Sequence, residues 1–175
     1  MRPCHAKPHR SAGFTLIELL ITVAIIAILA AIALPSFARV IASNRVASGV
    51  NEFISAVNLA RTEAVRRGRP AGVCASEDGG TCSGDWDDGY LVYYMSDATP
   101  AVEVPVREGK FSSKDTVTST DVSDIRFSNR GQGSTAGGVL YKPVDEKYED
   151  LQRCLFVSLA GSISTRAGSC TAGTP

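Results

Sequence analysis

The first strong feature of the sequence is an apolar run from Phe14 to Leu34, in which the polar residues are Thr15, Glu18 and Thr22. At about 1.5 Å per helical residue, a run of this length spans roughly 30 Å, which is the thickness of the hydrocarbon core of a bilayer. Because it is apolar on all sides, the run predicts a helix that lies in a membrane. A carboxylate within a membrane costs on the order of 3 kcal/mol, so Glu18 is a candidate functional residue.

The helical pattern continues beyond Pro35, but its apolar residues now follow one face. They recur at three- and four-residue spacings, whereas charged and hydroxyl residues occupy the other positions. The apolar stripe consists of Val46, Val50, Phe53, Ile54, Val57, Ala60 and Ala64. Gly68 and Pro70 are typical of a helix end. The sequence therefore predicts one long helix from Phe14 to about Arg67, with a kink at Pro35.

Beyond residue 70 the pattern changes to short runs of β-branched, aromatic and other apolar residues, separated by turn-rich segments. The runs predict strands at residues 71–75, 90–95, 101–106, 124–128, 138–141 and 153–159, followed by a further run at 162–165. Their connections are too short for crossover helices, which favours an antiparallel sheet. The amphipathic part of the helix would then cover one face of that sheet, giving an α+β fold.

The charge pattern sets the expected orientation of the chain. The predicted segments are a basic leader (1–13), the membrane half of the helix (14–34), its amphipathic half (35–68) and a C-terminal β domain (70–175). The leader has three basic residues and no acid, whereas the rest of the chain carries 15 basic and 18 acidic residues. Such a leader stays in the cytoplasm, with the β domain outside, and that domain is not basic enough to require a nucleic acid partner. Small residues precede the apolar run, so a cut after Gly13 would remove the leader and leave the helix in place.

Cysteine usage fits an oxidising compartment. Cys4 lies in the leader, and the other four cysteines lie in the β domain. Four cysteines on the translocated side predict two disulfides, although three pairings are allowed and the spacing does not choose among them. We predict the local pairs, Cys74–Cys82 and Cys154–Cys170. Zinc is not expected, because the cysteine spacing does not match a zinc site and both histidines lie in the leader.

No enzymatic centre and no cofactor are expected. Outside the leader the chain has no histidine, which excludes Ser-His and Cys-His nucleophilic pairs there. The acidic group around Asp85, Asp87 and Asp88 lacks the ligand pattern of an EF-hand calcium loop. We interpret it as a solvated turn in which Trp86 folds back onto the edge of the sheet.

The stretch GFTLIELLITVAIIAILAAIALPSF, which begins at Gly13, resembles the N-terminal signature of type IV pilins and pseudopilins. The signature combines a short basic leader, a Gly before Phe14, a Glu five residues into the mature chain and a Pro near the end of the membrane run. The remainder is similar to the GspH/FimT branch, which groups the H-type pseudopilin of type II secretion with minor pilins. This similarity rests on NLARTEAVRRGRP at the helix end, on DWDDGYLVY and on RCLFVSLAGSI.

The resemblance implies the type IV pilin fold and a structural function. It implies cleavage after Gly13 and N-methylation of Phe14 by a prepilin peptidase, and filament assembly through Glu18 and Pro35. The partners are then other pilin or pseudopilin subunits, the peptidase and the membrane. The location is the bacterial inner membrane, crossed once with the C-terminal domain in the periplasm, and then the pilus or pseudopilus. The expected role is a minor pilin that primes a type IV pilus or lies at its tip. The alternative is a pseudopilus subunit of type II protein secretion.

Glu18 has a physical role in this picture. Cleavage would create a charged amine at Phe14, about one helical turn from Glu18, and the two charges could partly neutralise each other. When a new subunit docks, its amine could pair with Glu18 of a neighbour. Because an unpaired charge in hydrocarbon is costly, this pairing would favour subunits in register.

DNA binding for natural transformation is a second alternative. Some minor pilins of the FimT type bind DNA through arginines in a G-R-x-R-like motif near the C terminus. Here the corresponding place reads GSIST, so Ser162 and Ser164 stand where the arginines would be and Arg166 is the remaining candidate contact. Affinity for a polyphosphate grows with the number of phosphates neutralised, so further basic residues would have to lie close by. The other candidates are Arg126, Arg130 and Lys142.

Overall fold

A computed structural model describes residues 14–119, 121–134 and 136–170, which form one long helix followed by two antiparallel sheets. The helix α1 covers Leu16–Arg67. The strands are β1 (Ala71–Ala75), β2 (Tyr90–Met95), β3 (Glu103–Gly109), β4 (Asp115–Thr118), β5 (Asp124–Phe127), β6 (Gly137–Pro143), β7 (Arg153–Val157) and β8 (Ile163–Ala167). A 3-10 helix at Glu146–Leu151 connects β6 to β7. The chain divides into two compact units, of which the first ends at Arg39 and the second begins at Val40.

Both ends of α1 are set by local capping. At the start, the Glu18 N–H donates to the Thr15 hydroxyl at 3.3 Å, as in a Ser/Thr N-cap. At the end, Gly68 adopts a positive φ of 66°. The Arg69 N–H donates to the Ala64 carbonyl at 3.1 Å, which completes a Schellman motif. The predicted end near residue 67 is therefore confirmed. The helix continues through position 35, and the kink expected there stays a prediction.

The apolar stripe of α1 forms one side of the domain core. Its buried members are Val46, Val50, Phe53, Val57, Ala60 and Ala64, and the same face also buries Ala42 and Ala56, which the predicted stripe did not include. Phe53 lies near the centre, with its ring edge-on to Trp86 at 5.3 Å and to Tyr90 at 6.1 Å between centroids. Edge-to-face contacts of this kind add to the free energy gained by apolar burial. The amphipathic periodicity thus identified the packed face, with Ile54 only partly buried at its margin.

The strands form two four-stranded sheets, whereas the pattern alone indicated one. The order is β3-β2-β1-β5 in the first sheet and β4-β6-β7-β8 in the second, and all described strand pairs are antiparallel. Inner residues of both sheets join the same core, which includes Val73 and Val92 of the first and Val139 and Leu155 of the second. Each sheet therefore has one face toward the core that contains the helix stripe.

The observed strand boundaries agree with the predicted ones where the apolar pattern is dense, and they differ where it is sparse. The predicted ranges 71–75 and 90–95 coincide with β1 and β2. The strand expected at 101–106 begins at Glu103 and runs to Gly109. The sequence pattern missed β4 entirely, because DTVT contains a single apolar residue, Val117, which points into the core. This segment is a strand because it pairs with β6, and its local β propensity alone does not predict it.

The two disulfides have the predicted local pairing. Cys74 and Cys82 are joined with 5.6 Å between their Cα atoms, and Cys154 and Cys170 with 5.1 Å. The first bond closes the loop that follows β1, and Cys82 then packs with Cys74 against Leu91 on the outer face of the first sheet. The second ties the end of the described chain to β7.

Candidate functional site

The largest exposed apolar surface of the described chain lies on the first part of α1. The large hydrophobic side chains between Phe14 and Ile41 are each between 51% and 84% exposed. A soluble domain does not leave such a continuous surface in water. By length and composition the helix can cross a membrane, with a mean hydropathy of 2.8 over its most apolar window. This segment needs a lipid or protein environment.

Glu18 lies in the first turn of this apolar helix. An acid there interacts favourably with the positive end of the helix dipole, and the Thr15 hydroxyl accepts a bond from the Glu18 backbone. The Thr22 hydroxyl donates to the Leu19 carbonyl at 2.9 Å, so this polar group is satisfied within the helix. Glu18 itself is exposed, on the apolar surface that requires covering. Gly13 lies outside the described residues, so cleavage there and methylation of Phe14 stay predictions.

A buried ion pair attaches the helix to the second sheet. Asp115 of β4 has a fully buried carboxylate that accepts bonds from Arg45 Nε at 2.9 and 3.0 Å. The Tyr141 hydroxyl of β6 donates to the same carboxylate at 3.1 Å. The Arg45 pKa is raised by this hydrogen bond, and the Tyr141 pKa is raised by burial and then by the adjacent negative charge. Gly49 allows this arrangement, because a Cβ there would overlap the Tyr141 hydroxyl.

A second polar network covers the outer face of the first sheet. The Tyr93 hydroxyl donates to the Asp124 carboxylate at 2.9 Å, and Arg126 Nε donates to the same hydroxyl at 2.8 Å. Arg126 also pairs with Asp124 and with Glu103 at 3.7 Å. Gly72 of β1 gives the tyrosine ring room, since a Cβ there would lie 2.8 Å from its hydroxyl oxygen. The network therefore links β2 to β5 by hydrogen bonds, and the two carboxylates balance the charge of Arg126.

The end of α1 carries a third group of charges. The Glu63 carboxylate, 9% exposed, pairs with Arg66 at 2.7 Å and with Arg67 at 2.6 Å. These two hydrogen bonds lower the Glu63 pKa. The Arg67 guanidinium lies 3.7 Å from the centre of the Tyr94 ring. An open cleft of about 440 Å³ lies beside them, lined by Arg67, Arg69, Tyr94, Ser96 and Asp97. Its charges are largely paired, since Arg69 forms an ion pair with Asp97.

The acidic turn has the structural role expected of it. Trp86 is buried, and its indole N–H donates to the Val122 carbonyl at 2.7 Å. The Asp87 carboxylate accepts the Val117 N–H of β4, and the Asp88 carboxylate accepts the Asp85 N–H. Within the described ranges no group of three or more acidic, cysteine or histidine side chains is placed to hold a metal ion.

The candidate basic residues for DNA are spread over both sheets. Arg166 lies on β8 and Lys142 on β6, with β7 between them, whereas Arg126 lies on β5 of the other sheet. Arg126 is already neutralised by Asp124 and Glu103. Arg130 lies in the turn that follows β5, so the candidate residues are divided among both sheets and a connecting turn.

Sequence reasoning missed the two polar networks centred on Asp115 and on Asp124. Arg45 and Asp115 lie 70 positions apart, and Tyr93 and Asp124 lie 31 apart. The available signal was weak: Arg45 precedes an apolar stripe residue, and Tyr93 falls in a run of apolar residues. Neither position indicates its partner without the fold.

Comparison with known proteins agrees with these features. The family model described as type II transport protein GspH matches residues 49–161, and the model described as prokaryotic N-terminal methylation motif matches residues 8–34. Two fimbrial proteins of Pseudomonas aeruginosa are 49% identical to the chain over 57 residues, which is 33% of this chain and 36% of theirs. The chain thus spans little more than a third of the length of these relatives.

Solved structures show the same fold. The type IV minor pilin FimU of Pseudomonas aeruginosa matches in two crystal forms, with TM-scores of 0.53 and 0.56 at 22% and 23% sequence identity. The matches cover 68% and 70% of this chain and 90% and 89% of the FimU chains. At this identity the likeness concerns the fold, which is that of a type IV pilin with a long N-terminal helix and antiparallel sheets.

Proposed function

The chain belongs to the family of the type II transport protein GspH, and on that premise we propose that it is a structural minor pilin that primes a type IV pilus or lies at its tip. One observation carries the proposal. The exposed apolar surface of α1, from Phe14 to Ile41, has an acid in its first turn and overlaps the segment that matches the methylation motif. Such a surface is suited first to a bilayer and then to a bundle of equivalent helices.

The membrane step follows from the distribution of charge and hydrophobicity. The basic leader stays in the cytoplasm, α1 crosses the inner membrane once, and the β domain lies in the periplasm. Two disulfides in that domain fit an oxidising compartment. A prepilin peptidase cuts after Gly13 and methylates the new N terminus at Phe14, which leaves the helix in the membrane.

The assembly step depends on the charge of Glu18. A carboxylate and a terminal amine in hydrocarbon each carry a large desolvation cost, and pairing reduces it. A subunit whose amine meets Glu18 of its neighbour is therefore held in axial register. Pro35 lies near the end of the same apolar segment and contributes to the shape of the helix in the bundle. The β domain is left to contact other pilin subunits outside the membrane.

A pseudopilus subunit of type II secretion is the second candidate, since the matching family model is described as a type II transport protein. The same helix, charge and processing would serve both machines. The difference lies in which filament the subunit enters, and this can be measured directly.

The experiment removes only this gene and compares the strain with its complemented version. Sheared surface pili and secreted proteins in the medium are quantified from the same cultures. Loss of pili with normal secretion, restored by complementation, is the result expected for a priming minor pilin. Loss of secreted proteins with normal pili would assign the subunit to the pseudopilus instead. Normal levels of both would refute the priming role.

A further inference from the structure

The four sheet edges of the β domain are not equivalent. An exposed edge presents unpaired backbone N–H and C=O groups, and proteins usually block such edges with proline, charge or a covering segment. β3 contains Pro105 and three charged residues along its length. β5 is covered by the segment that follows it, where Ser134 donates to the Arg126 carbonyl and Gly133 bridges to Phe127. β4 is capped, because its Val117 N–H donates to the side chain of Asp87.

Among the residues that the structure describes, the remaining edge, β8, lacks these devices. Its sequence ISTRA has no proline and a single charge, and four of its five residues are exposed. It pairs with β7 on one side, as the last strand of the second sheet. In the described part of the chain, β8 is therefore the edge with no proline, cap or covering segment.

The β7–β8 ladder shows which backbone groups of β8 point outward. The Ser158 N–H donates to the Ser162 carbonyl at 2.9 Å, and the Gly168 N–H donates to the Gln152 carbonyl at 3.1 Å. Both bonds involve even-numbered residues on the β8 side. Because successive residues of an antiparallel strand direct their N–H and C=O groups to opposite sides, the odd-numbered residues face away from β7.

The outward residues are Ile163, Thr165 and Ala167. They present three donors and three acceptors at the spacing of an extended strand. The side chains of these three residues are of small or moderate size. The geometry fits the backbone of another extended polypeptide segment.

Exposed apolar side chains lie next to the start of this edge. Leu159, in the turn that leads into β8, is 61% exposed, and Val65 of α1 is 54% exposed. The loop at residues 128–134 joins the two positions, since Gly131 lies against Val65 and Gly133 against the backbone of Leu159. An added strand would find apolar contacts at one end of its backbone ladder.

We propose that β8 is the docking edge for an extended strand of a different pilin subunit, which continues the second sheet by β-augmentation. This inference rests on the proposed function, because pilin subunits assemble with one another. A second copy of this chain is the poorer occupant. Pairing β8 with β8 gives a closed two-fold contact that uses the same edge on both copies, whereas filaments grow through heterologous contacts.

A proline at Thr165 tests the edge without breaking the sheet. The Thr165 N–H points outward, so Thr165→Pro removes no bond to β7 and proline is tolerated at an edge position. It does remove the central outward donor and places a ring in the path of an added strand. Thr165→Val is the matched control, because it keeps the N–H and the β-branched shape. The two native disulfides, mapped without reduction, report whether each variant folds.

The measurement uses full-length protein in membranes of the native host. A photo-crosslinking amino acid, p-benzoylphenylalanine, replaces exposed Ser164 on β8, or exposed Thr118 on the capped strand β4 as a control. The expected result is an adduct from position 164, and not from 118, with a protein that mass spectrometry identifies as carrying its own N-terminal methylation motif. Thr165→Pro should lower that adduct roughly tenfold, the scale of one lost hydrogen bond, and Thr165→Val should not.

Each other outcome overturns the inference. An adduct of the chain with itself would show that a second copy occupies the edge. Equal adducts from positions 164 and 118 would show that docking is not specific to β8. Adduct formation unaffected by Thr165→Pro would show that the backbone edge is not used. The proposed function is judged separately by deletion. If deletion abolishes pili but the Thr165→Pro variant has normal pili, the priming role stands and docking at the β8 edge is refuted.

Discussion

Replacing Asp115 by alanine should be among the most destabilising single changes in the β domain. The carboxylate is completely buried and accepts bonds from Arg45 and from the Tyr141 hydroxyl. Its removal leaves the tyrosine hydroxyl buried without a partner, which costs about 1–3 kcal/mol. It also removes charged hydrogen bonds to Arg45, whose side chain is 23% exposed and can partly return to water. We expect a loss of about 3 kcal/mol in the free energy of unfolding, at the low end for breaking a buried pair.

The assay is urea unfolding of the full chain in detergent, followed by fluorescence of Trp86, the single tryptophan of the sequence. Trp86 is buried against Phe53, so its emission reports the opening of the domain core. Asp121→Ala is the control, since this exposed acid should change stability by less than about 0.5 kcal/mol.

A double-mutant cycle separates the two partners of the carboxylate. Tyr141→Phe should cost about 1 kcal/mol alone but should be stabilising in the Asp115→Ala background, because it then removes a buried hydroxyl that has already lost its partner. A cost below about 1 kcal/mol for Asp115→Ala would refute the reasoning. So would a Tyr141→Phe cost that is equal in both backgrounds.

Three further predictions concern assembly, the disulfides and acid stability. Glu18→Ala should leave leader cleavage intact but lower incorporation into sheared filaments, measured by immunoblot; normal incorporation would refute charge pairing. Replacing Cys154 and Cys170 together by serine should lower the free energy of unfolding by about 3 kcal/mol, and an unchanged urea midpoint would contradict this. Glu63 has a lowered pKa in the folded protein, so its ion pairs stabilise the fold above its ordinary pKa of 4.5 and are lost as the pH falls through the lowered value. Glu63→Gln should therefore be destabilising near pH 7 and progressively less so below about pH 4.5, and a pH-independent difference would exclude the charge as the cause.

The helical half of the molecule could be predicted from sequence because its signals are local. The membrane segment follows from the composition of one continuous run, and the buried face from the 3.6-residue period of residues such as Val46 and Val57. Gly68 determines the end of the helix by its own backbone freedom. Dense apolar runs predicted β1 and β2 for the same reason, because several consecutive apolar residues indicate a buried strand without reference to the rest of the chain.

The arrangement of the strands could not be predicted in the same way. β4 is a strand because β6 lies beside it, and its sequence has one inward apolar residue, Val117. The division into two sheets depends on which strands meet across the core, and no local pattern records that choice. The pairing of the disulfides was predicted as local, but only the structure brings Cys154 and Cys170 together and excludes the other pairings.

The sequence by itself thus determined the apolar helix, its amphipathic continuation and the position of Glu18, all of which depend on composition and short-range periodicity. Only the tertiary structure decided that Asp115 meets Arg45, that Tyr93 meets Asp124 and that β8 is the last strand of the second sheet. Those features are arrangements of residues far apart in the chain. Their energies depend on burial and geometry, which exist only after the chain has folded.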